Sequence, residues 1–455
     1  MPLRSINPAN GAVIAEYSEH SPEEIGRRIA DGADAFPKWR RIPVAERAAM
    51  LLPLAQLLRS SRESHARLMA VEMGKPVAQG LAEIDKCADT CEYYARQAAT
   101  LLAPRAVATD ASESKIAFEP LGVVLVIMPW NFPFWQVVRC AATALVAGNT
   151  VLLKHASNVT GCALALESTF RAAGFPDGAF SILQTGGHQM EPVISHPAIQ
   201  AVTFTGSTPV GEAVAAIAGR HLKKTVLELG GSDAYLILED ADLPHAATVC
   251  AQSRLINSGQ SCVAAKRFIV VEKVHAEFTR LFVDAMNKSK FGDPLDSATT
   301  LGPLARFDLR DQLHAQVTRT VGQGAKLALG GSIPAGAGAF YPPTVLDEVR
   351  SGMTAFDEET FGPVAAVVPA KDEADAIRLA NTSPFGLGAA VFTRNTERGE
   401  RIARTELEAG NVFVNTHVRS DPRLPFGGIK HSGYGRELAE FGLMEFSNIK
   451  TIYVK

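Results

Sequence analysis

The sequence predicts an α/β protein with doubly wound parallel sheets, because short apolar segments alternate with segments of helical periodicity from residue 121 onward. In the first run of this alternation, the strand candidates are 123–128, 150–154, 180–183, 201–204 and 225–228, and the helix candidates are 135–145, 160–173 and 209–218. A second run after Gly230 has strand candidates at 268–271, 365–368 and 412–414. Two parallel sheets are therefore expected, one in each run.

The segments that flank these runs follow other patterns. Apolar residues at helical spacing predict helices between 21 and 59 and between 63 and 97. Alternating residues at 115–118 and 450–454 predict exposed ribbon strands, and because open strand edges seek partners, we expect a homodimer or homotetramer. The predicted domains are 1–101 together with 121–229, then 230–430, and a ribbon formed by 102–120 and 431–455.

The composition indicates a soluble globular protein. The 455 residues are 47% hydrophobic and 20% charged, and a chain of this length can bury a large core. A net charge of −3 and a pI near 6.4 give no electrostatic reason to bind nucleic acid or an anionic membrane. The uncharged stretch 120–138 is long enough to cross a bilayer, but Pro129 and Pro133 would break a helix there. We expect a buried strand, a turn and a helix instead.

The cysteines indicate a reducing compartment. No apolar segment follows Met1, so no secretory signal is expected, and six cysteines in a large chain of this kind are typical of free thiols in the cytoplasm. Cys87 and Cys91 share one face of a predicted helix, but no histidine or second cysteine pair joins them. The sequence therefore predicts no metal site.

Three residues predict covalent catalysis of the acyl type. Cys262 lies in the polar loop Gly259-Gln260-Ser261-Cys262 before an apolar strand, where a thiol can meet a ligand. Glu228 is a single carboxyl in an apolar strand, so it has either a raised pKa, which suits a general base, or a structural salt bridge. Asn131 is a lone amide among aromatic residues. The three supply a nucleophile, a base and an oxyanion donor.

Two strand ends in the first run predict nucleotide binding, because open α/β sheets bind nucleotides at the carboxyl ends of their strands. Lys154 ends one strand, with Ser157 close behind it, and is either a partner for a ribose hydroxyl or phosphate or a solvated lysine. Gly206 and Ser207 join another strand to a helix, and this turn is either a pyrophosphate site or a plain helix cap. The G-x-G-x-x-G fingerprint is absent, which disfavours an ordinary Rossmann dehydrogenase.

A cation lies two helical turns beyond the lone amide. If a helix starts by residue 133, Trp135 and Arg139 share a face that runs away from Asn131. Arg139 can bind a carboxylate through two hydrogen bonds, or it can form a structural salt bridge. An amide and a cation in this arrangement could hold the two ends of a short substrate.

Five motifs, in order along the chain, resemble those of the aldehyde dehydrogenase superfamily, and the resemblance covers essentially the whole sequence. The motifs are Pro129-Trp130-Asn131-Phe132-Pro133, Leu227-Glu228-Leu229-Gly230-Gly231, Gly259-Gln260-Ser261-Cys262, Glu359-Thr360-Phe361-Gly362-Pro363 and Pro425-Phe426-Gly427-Gly428. Within the superfamily, segments 128–136, 153–158 and 420–428 are most similar to short bacterial enzymes that oxidise succinic semialdehyde. The resemblance implies two Rossmann-type domains, the first cofactor-binding and the second catalytic, with an oligomerisation ribbon.

The resemblance also implies a mechanism. The Cys262 thiolate attacks the aldehyde carbon, and the Asn131 side chain and the Cys262 N–H stabilise the oxyanion. Hydride passes to a nicotinamide, and Glu228 activates the water that hydrolyses the resulting thioester, so that succinic semialdehyde becomes succinate. The expected partner is thus a small aldehyde that has a carboxylate.

Further site residues follow from the same resemblance. The cofactor-binding residues are expected to be Pro129, Trp130, Lys154, Ser157, Gly206, Ser207, Leu229, Glu359 and Phe361. The substrate-binding residues are expected to be Trp135, Arg139, Ser261, Ser420 and Phe426. Many NAD-preferring members have glutamate where Ser157 stands, so NADP is the preferred cofactor and NAD a possible one.

Two alternatives remain open from the sequence. One is a dehydrogenase of another aldehyde, such as glutaric semialdehyde or a broad aliphatic set, because Thr416-His417 departs from the pattern of the similar enzymes. The other is a catalytically silent structural or binding protein on this fold, which the intact Cys262, Glu228 and Asn131 disfavour. A cysteine hydrolase is also disfavoured, because no histidine in the motifs is placed to activate Cys262.

Overall fold

The computed structural model describes residues 2–455 and places the first run of alternation in one six-stranded sheet, here called the first sheet. From one edge to the other, its strands are Gly433–Tyr434, Lys224–Glu228, Ile199–Thr205, Val123–Met128, Thr150–His155 and Phe180–Ile182. All neighbours are parallel except Gly433–Tyr434, which is antiparallel to its neighbour. The first strand of this sheet in the sequence is Val123–Met128. The next two strands are added on one side of it, and Ile199–Thr205 and Lys224–Glu228 are then added on the other side. The predicted doubly wound arrangement is confirmed.

The second run forms a seven-stranded sheet, here called the second sheet. In spatial order, its strands are Lys326–Leu329, Thr344–Asp347, Val364–Ala370, Arg267–Val271, Ala234–Ile237, Gly388–Phe392 and Asn411–Val414. Only the pair of Lys326–Leu329 with Thr344–Asp347 is antiparallel. The sequence predicted three of these strands. Most of the others are only four residues long, which is too short for a periodic pattern to stand out.

A three-stranded ribbon contains both predicted terminal strands. Glu113–Pro120 pairs antiparallel with Ser447–Val454 over eight residue pairs, and Arg105–Ala106 extends the sheet. Within the predicted ribbon segment 431–455, Gly433–Tyr434 belongs to the first sheet and not to the ribbon. Just before this segment, Ile429–Lys430 pairs with Phe385–Gly386. The chain thus returns to the first sheet before it enters the ribbon. The division into three domains stays a prediction.

The helices cover the faces of the sheets and the space between them. Around the first sheet, the α-helices are Pro22–Trp39, Val44–Ala49, Leu51–Ser60, Arg62–Met73, Val77–Leu101, Trp135–Ala147, Thr160–Ala172, Met190–Ser195 and Thr208–Arg220. Later in the chain, they are Leu243–Leu255, Glu272–Asn287, Phe307–Gly322, Thr354–Asp357, Glu373–Asn381, Thr396–Thr405 and Ala439–Glu445. Short 3₁₀ turns lie at Ser157–Val159, Gly187–Gln189 and Ile256–Gly259, and a hairpin at the start of the chain pairs Leu3–Ile6 with Val13–Tyr17.

The uncharged stretch 120–138 forms the predicted strand, turn and helix. Val123–Met128 is buried along its whole length, and helix Trp135–Ala147 is buried on every face. A helix that is apolar all round belongs in a core, and this one packs beneath the first sheet against Val77–Leu101. Among residues 2–455, no helix combines the length and the apolarity needed to cross a membrane.

Candidate active site

Four strand ends of the first sheet lie side by side. In the pairing register, Met128 is opposite His155, and Thr205 is opposite Glu228. Ile127 links the two pairs, because it is opposite Lys154 on one side and Phe204 on the other. Because the strands are parallel, the residues that follow them meet at one edge of the sheet. The predicted cofactor residues at this edge are Pro129, Trp130, Ser157, Gly206, Ser207 and Leu229.

This edge has features that suit a nucleotide with phosphates. Helix Thr208–Arg220 begins after Ser207, whose side chain accepts no hydrogen bond from the helix, so the first helical amides stay available to an anion. Lys154 is half-buried and ion-pairs with no side chain among residues 2–455, and burial lowers its pKa. A cation without a partner and a set of free amides fit the charge of a phosphate-bearing cofactor.

Asn131 is buried and lies in the segment 129–133, which hydrogen bonds of His155 hold in place. Nε2 of His155 lies 2.9 Å from the Pro133 carbonyl oxygen, and Nδ1 lies 3.2 Å from the Met128 carbonyl oxygen and 2.9 Å from the Ala156 nitrogen. We assign the proton to Nε2, because this tautomer satisfies the shorter carbonyl contact and lets Nδ1 accept from the Ala156 N–H. Burial lowers the pKa of His155 to about 4, which keeps the ring neutral at neutral pH. The segment 129–133 is therefore held to the next strand of the sheet by a side chain.

The other end of this segment is fastened by a carboxylate. Oε1 of Glu83 accepts hydrogen bonds from the N–H groups of Phe134 and Trp135, both at 2.9 Å, where helix Trp135–Ala147 begins. A negative charge at a helix start is stabilised by the exposed amides and by the helix dipole. Glu83 is also paired with the buried Lys75, whose ammonium lies 3.9 Å from the centroid of the Phe132 ring.

The loop that precedes Cys262 has a strained backbone. Asn257 and Ser258 have φ angles of 50° and 56°, and Gly259 has a φ of 75°. A Cβ atom at Gly259 would collide with the backbone of Gly362, so the loop needs glycine at this position for space as well as for conformation. Consecutive residues in the left-handed region persist only when their surroundings fix them, and such strain is common at functional sites.

Hydrogen bonds tie this loop to the Asn131 segment. Nδ2 of Asn257 donates to the carbonyls of Asn131 and Gln260, at 2.6 and 3.1 Å. Nδ2 of Asn131 donates to the same Gln260 carbonyl at 3.1 Å, and Asn131 is only 4% exposed. Because an amide NH₂ has two protons, Asn131 keeps a second donor for a ligand. The predicted oxyanion donor is thus fixed beside the loop of the predicted nucleophile.

The thiol of Cys262 is protonated in this environment. Burial raises its pKa to about 12, although the charges of Lys266 and Arg139 act in the opposite direction. Nζ of Lys266 donates to the carbonyls of Cys262 and Ser261, at 2.6 and 3.0 Å, and so fixes the backbone of the loop. The thiol therefore has to give its proton to a base before it can attack.

Glu228 has the environment of a general base. It is 1% exposed, and within residues 2–455 neither carboxyl oxygen has a well-formed hydrogen bond, although the Gly428 N–H lies close enough to favour the charged form. Burial first, and the neighbouring Glu437 second, raise the pKa of Glu228 to about 8. A Cβ atom at Gly427 would lie 2.8 Å from Oε1 of Glu228, so glycine at this position keeps space beside the carboxyl. Of the two roles that the sequence left open, the structure favours the base, because Glu228 makes no salt bridge within residues 2–455.

The second sheet contributes two of the predicted cofactor residues. Oε1 of Glu359 accepts a hydrogen bond from the Gly231 N–H at 3.1 Å and lies 3.3 Å from Nζ of Lys266. The rings of Trp130 and Phe361 meet edge to face, with centroids 5.8 Å apart. Residues from the two sheets thus converge on the cleft that contains the strand ends and the Cys262 loop.

Arg139 has a partner inside the protein. Its side chain is 2% exposed, forms a buried ion pair with Glu437 and lies 5.1 Å from the centroid of the Phe426 ring. This is the structural salt bridge that the sequence left open, and it arises because a buried guanidinium has to be paired. Phe426 is fixed in turn by two backbone hydrogen bonds with Glu437, each of 2.7 Å. A contact between Arg139 and the substrate stays a prediction.

A cavity of about 660 Å³ adjoins the predicted substrate residues. Its wall includes Trp135 and His417, the latter being one of the two residues that depart from the pattern of similar enzymes. Phe132, the neighbour of Asn131, also contributes to the wall. Lys86 lines the cavity, and its Nζ donates a hydrogen bond to Oγ of Ser420 at 2.7 Å. Ser261 is buried, and its backbone carbonyl accepts a hydrogen bond from Nζ of Lys266.

Several residues that organise the site could not be identified from the sequence. They are Lys75, Glu83, Lys86, His155, Asn257, Lys266 and Glu437. A weak signal exists for Glu83, because it is a charged residue at a position of the buried, mainly apolar face of its helix. For Glu437 there is none, because its partner Arg139 is about three hundred residues away along the chain.

We expect the change His155→Phe to impair the positioning of Asn131. The variant keeps an aromatic ring but loses the donor to the Pro133 carbonyl, at a cost of about 1–3 kcal/mol in the free energy of unfolding. Denaturant unfolding measures that cost, and kcat should fall roughly tenfold or more. The matched control is His221→Phe, at an exposed helix end, which should change neither quantity. An unaltered kcat in the first variant would contradict the role given to His155.

Comparisons with known proteins agree with this geometry. A family model described as "Aldehyde dehydrogenase family" matches residues 1–452. The chain is 47% identical to a probable succinate-semialdehyde dehydrogenase [NADP(+)] of Synechocystis sp., over 100% of both chains. It is 46% identical to a succinate semialdehyde dehydrogenase [NAD(P)+] of Escherichia coli, over 99% of this chain and 97% of the relative.

A solved structure gives the same result for the fold. The crystal structure of succinic semialdehyde dehydrogenase from Streptococcus pyogenes, in complex with NADP+ as the cofactor, superposes with a TM-score of 0.97 at 36% identity and 99% coverage of each chain. The resemblance seen in the five motifs is thereby confirmed over the full length, and so is the predicted α/β fold. The chain belongs to the aldehyde dehydrogenase family.

Proposed function

We propose that this protein oxidises succinic semialdehyde to succinate, with NADP as the preferred hydride acceptor and NAD as a possible one. The observation on which the proposal rests is the hydrogen bond between Asn131 and the Gln260 carbonyl, which sets an oxyanion donor beside the Cys262 loop. The names of the relatives in Synechocystis and Escherichia coli support the choice of substrate and cofactor. The enzyme is non-acylating, because Glu228 supplies a base for hydrolysis.

The first chemical step joins Cys262 to the aldehyde. The thiol gives its proton to Glu228, the sulfur forms a bond to the carbonyl carbon, and the electron pair of the C=O bond moves to the oxygen. The second N–H of the Asn131 amide and the backbone N–H of Cys262 stabilise that oxyanion. When bound, NADP supplies the acceptor for the hydride that leaves this carbon, so that a thioester remains on Cys262.

The second chemical step hydrolyses the thioester. Glu228 first releases to solvent the proton that it took from the thiol, and it then removes a proton from a water molecule. The water oxygen bonds to the acyl carbon, and the C–S bond breaks. Succinate leaves, and the proton returns from Glu228 to the sulfur. The carboxyl oxygens of Glu228, which have no well-formed hydrogen bond within residues 2–455, and the space that Gly427 leaves beside them support this role.

The cofactor assignment rests on charge. Lys154 is a cation without an ion-pair partner in residues 2–455, and Ser157 begins the turn that follows the same strand. A serine at this position does not repel the 2′-phosphate of NADP, whereas a carboxylate would. We assign the nicotinamide ribose to Glu359 and the nicotinamide ring to the neighbourhood of Phe361 and Trp130. Pro129, Gly206, Ser207 and Leu229 complete the proposed cofactor site.

The ribbon supports assembly into a homodimer or homotetramer. Ser447–Val454 is an edge strand of its sheet, and its side chains include Ile449 at 59% exposure and Tyr453 at 47%. Apolar side chains on an open edge favour pairing with a second copy. All six cysteines are free thiols, which suits the cytoplasm as the compartment.

A substrate panel tests the function directly. We expect the highest kcat/KM for succinic semialdehyde, a lower value for glutaric semialdehyde and the lowest for butanal, measured as NADPH formation. The Cys262→Ala variant should bind NADP normally and lose all turnover, because no other nucleophile is in place. A panel in which butanal ranks first would refute the substrate, and turnover that survives in the variant would refute the mechanism.

The pH dependence of hydrolysis should report Glu228. A base has to be deprotonated, so kcat should rise as the pH increases through about 8, which is the raised pKa of this carboxyl. The Glu228→Gln variant lacks the base of both steps, so it should lose most of its turnover, and its residual rate should lose the rise near pH 8. A rise that persists in the variant would assign the titration to another group.

Cofactor choice should depend on position 157. We expect Ser157→Glu to raise the ratio of kcat/KM with NAD to that with NADP by roughly tenfold or more, because the new carboxylate repels the 2′-phosphate and can accept from the ribose hydroxyls. Ser157→Gln is the matched control, with a similar side chain and no charge, and should shift the ratio less. An equal ratio in all three proteins would exclude Ser157 from the cofactor site.

A further inference from the structure

Lys86 and Trp135 both line the cavity described above. Lys86 lies on helix Val77–Leu101 and is half-buried. Its Nζ donates a hydrogen bond to Oγ of Ser420 at 2.7 Å and lies 4.2 Å from the centroid of the Trp135 ring. An ammonium has three N–H donors, of which the bond to Ser420 uses one and one faces the Trp135 ring. The third remains for a ligand in the cavity.

This ammonium has no counter-ion. Within residues 2–455, no carboxylate is at ion-pair distance from Lys86. Glu83, one turn earlier on the helix, already serves Lys75 and two backbone amides, and Asp421 is held by Arg423 at 2.6 Å. A half-buried charge without a partner costs free energy, which an incoming anion can recover.

Arg139 differs from Lys86 in this respect. Its charge is met inside the protein by the buried Glu437, while it still repels Lys86 from nearby. Burial, followed by the charge of Arg139, lowers the pKa of Lys86 to about 8, so the ammonium form needs a negative partner to be fully stabilised. The cavity therefore contains a cation that is available to a ligand, and it is not the one that the sequence suggests.

The cavity is placed to hold the far end of a short substrate. Phe132 on its wall is the neighbour of the oxyanion residue Asn131, and Leu255 and Ile256 on the same wall lead into the strained loop before Cys262. Trp135 and Phe132 offer apolar surface for the methylene groups between an aldehyde and a carboxylate. A small acidic aldehyde fits this combination of an apolar wall and a half-buried cation; the other lysine of the wall, Lys288, is exposed.

We propose that Lys86, together with Ser420 and Trp135, binds the carboxylate of the substrate and sets the preference for acidic aldehydes. This inference rests on the proposed function and names its specificity residue. Lys86 supplies a charge-assisted hydrogen bond, the Ser420 hydroxyl turns from acceptor to donor when the anion arrives, and the Trp135 ring orients the ammonium.

The test compares two substrates in the full-length enzyme with NADP. In Lys86→Met, kcat/KM for succinic semialdehyde should fall roughly 10- to 100-fold, mainly through KM, while that for butanal stays within about twofold, as expected for the loss of one hydrogen bond to a charged group. Succinate should become a correspondingly weaker inhibitor of butanal oxidation. Lys86→Arg, which keeps the charge, should recover most of the loss.

Controls separate this inference from a structural effect. Lys288→Met removes another lysine from the wall of the same cavity, where it is exposed, and should leave the substrate preference unchanged. Thermal unfolding checks the fold, and Lys86→Gln, which can keep the bond to Ser420, replaces the methionine variant if that variant is unstable. Equal losses on both substrates, equal losses in the arginine and methionine variants, or the same loss in Lys288→Met would each overturn the assignment.

The wild-type measurements distinguish the two proposals. A preference for succinic semialdehyde over butanal supports the proposed function whatever Lys86 does. Only the change of that preference in Lys86→Met bears on Lys86. A wild-type enzyme without any preference would overturn both.

Discussion

The site depends on one constraint: Asn131 and residues 133–135 of the irregular segment 129–135 are buried, so their backbone polar groups have to be satisfied without water. His155 donates to the Pro133 carbonyl, Glu83 accepts from two amides at the start of the next helix, and Asn257 donates to the Asn131 carbonyl. These bonds come from three different parts of the chain. Each of them also fixes the position of the Asn131 side chain relative to Cys262, so stability and catalysis share the same contacts.

Near the site, some buried charged residues have an ion-pair partner and others do not. Lys75 with Glu83, Arg139 with Glu437 and Lys266 with Glu359 are each paired. The fully buried pairs of Lys75 and Arg139 hold elements together and have little capacity left for a ligand, whereas Glu359 is only partly buried and keeps an accessible carboxyl. Glu228 and Lys86 have no such partner in the described part of the chain. The first has a pKa raised to about 8, and the second has one lowered to about 8, and in both the cost of burial leaves a group ready to react or to bind.

Much of the fold could be predicted from the sequence, because the information is local. The strands of the first sheet are apolar runs bounded by glycine or polar residues, and the predicted bounds of 123–128 match the observed strand. The helical regions were also located, although 21–59 proved to contain three helices and 63–97 parts of two. Pro43 and Pro76 mark two of these breaks, since proline interrupts a helix interior. Four strands of the second sheet, each of four or five residues, were missed because so short a run has no measurable period.

The sequence by itself determined the order of the motifs and the residue types for nucleophile, base and oxyanion donor, since these depend on neighbours along the chain. It also determined that strand ends of the first sheet would bring the cofactor residues to one edge. Only the tertiary structure decided which buried charges have an ion-pair partner. Arg139 meets Glu437 across the fold, while Lys86 meets no carboxylate, and neither fact is visible in a local pattern. The physical reason is that burial and pairing energies depend on distances between residues far apart in the chain.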